Sequence, residues 1–226
     1  MERSAPTYQL DTELLPEEQL LLAMGKIDPS HHDRVVAHDL LEDPNYPWQK
    51  MLALAAAHRV HPILAHNLEI DDSFRSRVPA EFQGSLRAFR AQALMRNALY
   101  RQTIAPIVQR LTAENVPLAL MKGAALTETV FPRGTRLLND FDVLINKSDY
   151  PKVTAAFVDA GFLKRFRAGA TESSELAAYH QVGLVKRVGE TVLSVDLHWL
   201  LYPPEQAFCQ IDTPTLMARS QRITFG

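Results

Sequence analysis

From about residue 12 to 115, apolar side chains recur at three- and four-residue steps, the spacing of one helical face. Pro16-Glu17-Glu18 opens a helix carrying Leu20, Leu21, Leu22 and Met24. Its early acids suit the positive end of the aligned peptide dipoles. A short helix over 32–41 follows, with His31-His32-Asp33 as its start. Trp48, Met51, Leu52, Leu54 and Ala55 predict another, ending near His61-Pro62 because proline lacks the N–H a helix needs, with a continuation over 63–68. The longest helix is predicted over 79–114. Phe82, Leu86, Phe89, Ala93, Leu94, Tyr100, Ile104, Ile107, Val108 and Leu111 fall on its buried side, and Pro106 is a candidate kink.

After Asn115 the period changes. A strand over 116–121, a helix over 124–131, a strand over 140–145, a helix over 148–160 stopped by Gly161, and a third strand over 162–166 alternate along the chain. Segments 181–188 and 191–198, separated by Gly189-Glu190, read as a hairpin. The fold class expected is α+β: a helical region over 1–115, then a mixed sheet flanked by helices over 116–226. The tail after Tyr202 is punctuated by prolines and predicts no clear element.

Composition narrows the partners. With 226 residues and 46% hydrophobic content the chain can bury a sizeable core. A formal charge of -2 and a pI near 6.4 give no global attraction for nucleic acid or an anionic membrane, so any phosphate binding must be local. One cysteine, Cys209, excludes an internal disulfide, and Met1-Glu2-Arg3-Ser4 lacks the basic start and apolar core of a secretory leader. No apolar run approaches the roughly 20 residues of a spanning helix. A cytoplasmic protein is expected.

The stretch richest in chemistry runs from Lys122-Gly123 through Arg136 to Asn139-Asp140-Phe141-Asp142-Val143-Leu144-Ile145. Residues two apart on a strand share a face, so Asp140 and Asp142 can converge on one metal while Phe141 and Val143 pack the other side. In Ser194-Val195-Asp196-Leu197-His198-Trp199 the same alternation groups Ser194, Asp196 and His198. If that strand pairs beside the Asp140 strand, three carboxylates meet on one face. Such a group holds one or two magnesium ions and serves phosphoryl or nucleotidyl transfer. In the plainer alternative, Asp140 and Asp142 cap a turn and Asp196 lies at a solvated edge. Arg136 is either a bidentate phosphate fork or the partner of Asp140 or Asp142. His198 is an orienter of the acids or, by a small margin, a satisfied half-buried histidine. His58, His61 and His66 lack the partners of a zinc site. Arg87, Arg90, Arg96 and Arg101 read mainly as a solvated helix face.

Taken in order, Lys122-Gly123, Arg136, Asp140-Phe141-Asp142 and Val195-Asp196-Leu197-His198-Trp199 resemble the uncharacterised bacterial nucleotidyltransferase family of the DNA polymerase β-like superfamily. The resemblance covers roughly residues 50 to 200. It implies a nucleotidyltransferase with a mixed sheet flanked by helices, moving a nucleoside monophosphate from a triphosphate to an acceptor and releasing pyrophosphate. Asp140, Asp142 and Asp196 would then be catalytic metal ligands for Mg2+ or Mn2+, and Lys122, Gly123 and Arg136 would bind the nucleotide. The chain departs from the superfamily pattern in having Lys122 before the glycine and Ala124 after it, where a hydroxyl or a second glycine is usual. That departure supports an alternative, an inactive nucleotide-binding regulatory or interaction module of the same fold. The acceptor, whether small molecule, peptide or protein, is not legible. Related chains continue into a further helical region after the Asp-Leu-His-Trp strand, so a short or C-terminally truncated member is expected, with an apolar surface favouring homo-oligomers.

Overall fold

The computed structural model describes residues 14–203 and 212–225. Residues 1–4 and Cys209, on which the expectations about a leader and a disulfide rest, lie outside the described residues. By its contacts the chain divides into two compact units, Met1–Ala91 and Gln92–Gly226.

The described elements of the first unit are helical: α1 (Pro16–Met24), α2 (His31–Leu41), α3 (Trp48–Ala57), α4 (His61–Ile70), α5 (Asp72–Arg75) and the opening of α6 (Ala80–Ala113). Ser30 starts α2. Its hydroxyl accepts from Asp33 N at 3.2 Å, and the Asp33 carboxylate accepts from Ser30 N at 2.9 Å, a reciprocal cap that satisfies two otherwise free donors. The sequence predicts a helix end near His61-Pro62, but α3 stops at Ala57 and α4 begins at His61. Arg59, with φ at 58°, breaks the chain direction between them. Proline is tolerated in a first turn because its missing N–H would find no intrahelical partner there. Leu20, Met24, Met51, Leu64, Leu68 and Phe74 form a fully buried core. Asn67 donates to the carbonyls of Met24 at 2.8 Å and Lys26 at 2.7 Å, satisfying the end of α1.

The second unit contains the remainder of α6, β1 (Leu118–Leu120), α7 (Lys122–Thr129), β2 (Phe141–Ile145), a 3-10 turn (Lys147–Asp149), α8 (Tyr150–Asp159), β3 (Leu163–Arg165), α9 (Glu172–Ala178), β4 (Gln181–Val188), β5 (Thr191–His198) and α10 (Thr213–Ala218). The five strands form one sheet in the order β1-β2-β5-β4-β3. β2 and β5 run parallel; the other pairs are antiparallel. Phe141, Val143, Val182, Leu184, Val195 and Leu197 make a buried face, joined by Tyr100, Ile104, Ile107 and Leu111 of α6. The first strand begins at Leu118, where the sequence predicts one from residue 116. The compact units divide earlier, inside α6, because these four side chains belong to the core of the sheet.

Four details differ from the sequence reading. Leu94, expected on the buried side of the long helix, is 42% exposed. The first strand is only three residues long, so α7 starts at Lys122 and takes Lys122 and Gly123 into its first turn. The short helices α9 and α10 were not anticipated. α6 is one helix through Pro106. Among the described residues, no helix is long and apolar enough to cross a membrane.

Candidate active site

The parallel pairing of β2 and β5 builds the site. Its register sets Phe141 beside Val195, Asp142 beside Asp196, Val143 beside Leu197 and Leu144 beside His198. Cross-strand partners share a face, so the two acids project together while their apolar neighbours enter the core. Asp142 and His198 are almost fully buried, and Asp196 is partly so. His198 Nε2 lies 2.8 Å from Asp142 Oδ1. Lys122 Nζ donates to the same oxygen at 2.6 Å and sits 3.4 Å from His198 Nε2. One ligand atom from each of Asp142, Asp196 and His198 lies within 4.8 Å of the others.

The two carboxylates have opposite electrostatic fates. Burial pushes Asp142 up, but hydrogen bonds from His198 and Lys122, with the charges of both, outweigh it and hold the carboxyl below its usual range. For Asp196 burial raises the pKa, and the negative charges of Asp142 and Asp140 add to the rise against the pull of His198 and Lys122. The pair is held together by topology while its members repel, the situation that a divalent cation relieves.

Lys122 reaches Asp142 from a left-handed backbone, φ 47°, a region costly for a residue with a side chain. Such strain persists only where the surroundings over-determine it. Gly123 follows. A Cβ placed there would meet the Arg136 guanidinium at 3.7 Å, so that group lies directly against the first turn of α7. Arg136 Nε is buried and has no hydrogen-bond partner among the described residues, and its guanidinium carbon sits 5.1 Å over the Phe131 ring. α6 fastens the loop that carries Arg136. Asn97 donates to Arg136 O at 2.7 Å and accepts from Leu138 N at 3.0 Å. Arg96 Nε donates to Leu138 O at 2.6 Å. The Tyr100 hydroxyl donates to Asn139 O at 2.8 Å and accepts from Ser194 N at 3.0 Å, tying the loop to β5.

Asp142, Asp196 and Lys122 are therefore brought together, and Gly123 with Arg136 forms a second group beside them. Asp140 is exposed, one residue before β2, and is not a member of the close cluster, although its charge is felt at Asp196. His198, for which the sequence favoured a structural part, joins the cluster directly. The cation on Asp142 is Lys122, not Arg136. Asn97 and Tyr100 carry no chemical signature in the sequence and were missed. Arg96 and Arg101, read as a solvated face, are engaged with Leu138 O and Glu128. The Nδ1 atoms of His61 and His66 are buried and unpartnered, and neither residue belongs to a cluster of three metal-ligating side chains among the described residues.

The donor set fits a divalent cation. Two carboxylates supply hard oxygens for Mg2+ or Mn2+, and an imidazole is better tolerated by Mn2+ than by Mg2+. Lys122 already places one positive charge on the buried oxygen of Asp142. No curated protein matches the chain significantly. A family described as uncharacterised nucleotidyltransferase matches residues 44–226. With an acid pair in register at the centre of the sheet and a family match over most of its length, this chain belongs to that nucleotidyltransferase family.

Proposed function

We propose that the protein is a divalent-metal-dependent nucleotidyltransferase that passes a nucleoside monophosphate from a triphosphate to an acceptor hydroxyl, with release of pyrophosphate. The chemistry is assigned to the region after residue 115. The observation that carries the reading is the in-register pair Asp142 and Asp196, with His198 bonded to the first of them.

Asp142 and Asp196, with Asp140 beside them, would hold the metal, which when bound polarises the α-phosphate and steadies the departing pyrophosphate. Arg136, whose Nε lacks a partner among the described residues, forks onto phosphate oxygens, and Gly123 leaves the first turn of α7 open to the same anion. Lys122 exchanges Asp142 for the β- or γ-phosphate. His198 keeps the Asp142 carboxylate oriented through Nε2. The acceptor oxygen forms a bond to the α-phosphorus, the bond from that phosphorus to the β-bridging oxygen breaks, and Asp196 takes the acceptor proton.

The test is thermal stability with each common ribonucleoside triphosphate, with and without magnesium, for the parent and Asp142→Asn. A ligand at about 100 times its dissociation constant adds about 2.7 kcal/mol. A magnesium-dependent rise confined to the parent supports the reading and identifies the nucleotide for an acceptor search with α-labelled substrate. Equal rises in both proteins, or none in either, would overturn it.

A further inference from the structure

One row of residues crosses four strands of the sheet. Asp142 of β2 is the partner of Asp196 of β5, Asp196 the partner of Gly183 of β4, and Gly183 the partner of Arg165 of β3. All four positions share the face that carries the acids. In the third place stands a glycine, which weakens a strand interior and is kept where another group approaches closely. A Cβ built on Gly183 would lie 3.5 Å from Asp196 Oδ1, 3.5 Å from Arg165 Nε and 3.7 Å from Arg165 Nη2. Carboxylate and guanidinium therefore border the same small space above Gly183. A β-branched side chain would fill it.

Arg165 is exposed and forms no ion pair among the described residues. Its neighbour Lys164 is bound by Glu172, and Arg101 is clasped by both oxygens of Glu128, at 2.7 and 2.6 Å. Arg165 is thus a cation left unneutralised beside an acid pair. Its Cα lies two strand spacings, about 10 Å, from that of Asp196, a span a side chain can cross only over an empty position. Lys122 and Arg136 stand on the β1 side of the acids; Arg165 stands on the β3 side.

We infer that Arg165, reaching across Gly183, is a phosphate-binding residue of this site, gripping the nucleotide's phosphate chain from the side opposite Lys122 and Arg136. The inference rests on the metal-nucleotide reading above. A planar guanidinium presents paired donors to phosphate oxygens, and its position across Gly183 lets one anion touch both the metal ligands and the fork.

Calorimetric titration with Mn2+ alone, and with the Mn2+–tripolyphosphate complex, tests it without knowledge of base or acceptor. Arg165→Gln should bind the complex about tenfold more weakly, the effect of one charge-assisted contact, and bind Mn2+ alone like the parent. Gly183→Val should copy both results by occupying the space, while Gly183→Ala, whose Cβ sits at ordinary contact distances, should behave as the parent. Parent-like affinity of Arg165→Gln for the complex, with binding still lost in Asp142→Asn, would overturn this inference alone. Mn2+ affinity independent of Asp142 and Asp196 would overturn the metal reading and this inference with it. Were Gly183→Val to unfold, Arg165→Gln would still decide.

Discussion

Asp33 in the helical unit and Asp196 in the sheet are both largely withdrawn from water, yet they are treated in opposite ways. Asp33 receives Lys26 Nζ at 2.5 Å, Ser30 Oγ at 2.7 Å and Ser30 N at 2.9 Å. Those bonds, with the lysine charge, bring its pKa down to about 2. Asp196 meets burial first and a second carboxylate next, and its pKa rises. A carboxylate given every partner it needs serves the fold. One placed beside its like, on a strand, costs stability, as the proposed metal-binding role of Asp196 would require.

The largest effect that would sharpen this contrast lies at the acids of the sheet. Asp142→Asn and Asp196→Asn should each lower nucleotidyl transfer by at least about a hundredfold, measured with α-labelled triphosphate once an acceptor is in hand. In EDTA at pH 7, Asp196→Asn should also unfold at a higher temperature, by about 1 kcal/mol of added stability, as happens when a functional strain is relieved. The sign follows from the raised pKa. The cost of the charged Asp196 is fully present above the folded pKa and disappears below the unfolded one, so the advantage of the variant should shrink as the pH falls. An Asp196→Asn protein less stable than the parent at pH 7 would erase the contrast.

Asp33→Asn should do the reverse. Because its folded pKa is depressed to about 2, its contribution is present above the unfolded carboxylate value near 3.8 and is lost as the pH falls through about 2. Denaturant unfolding should show the variant less stable at pH 7 and converging on the parent only below about pH 2. Smaller still is the expected consequence of Lys122→Met. Losing the ammonium from Asp142 should tighten Mn2+ binding in the absence of nucleotide by about tenfold, since Lys122 is 59% exposed and its charge is partly screened, while weakening the Mn2+–tripolyphosphate complex. Gly123→Ala should change melting least, because the new methyl meets Leu138 and Arg136 only at 3.5 to 3.7 Å.

Local chemistry explains what could be read in advance. The hairpin of β4 and β5 was legible to the residue, since strict alternation and the Gly189-Glu190 turn are both local signals. α10 carried a readable start, Asp212 as cap and Pro214 in the first turn, but its six residues are too few for a helical period to show. α9 is similarly short. Alternation correctly grouped Asp196 with His198. What it could not supply was the parallel register that lays Leu144 beside His198 and so brings the imidazole to Asp142. The row from Asp142 to Arg165 joins four separate segments, and Arg165 has no distinguishing neighbours in the chain. Asn97 and Tyr100 act through backbone groups of a distant loop, which leave no trace in residue type.

β2 and β5 are neighbours in the sheet with β3, β4, two helices and a 3-10 turn between them in the chain. Parallel strands cannot be joined by a tight turn, so Asp142 and Asp196 remain apart until that long crossover has closed. On the proposed reading, metal affinity is an emergent property of the finished topology, absent from either hairpin or helix alone. Quenching of Trp199, next in the chain to His198, by Mn2+ would then serve as a clock for the last long-range event in the refolding of the sheet. A nascent chain would stay chemically silent until that event is over.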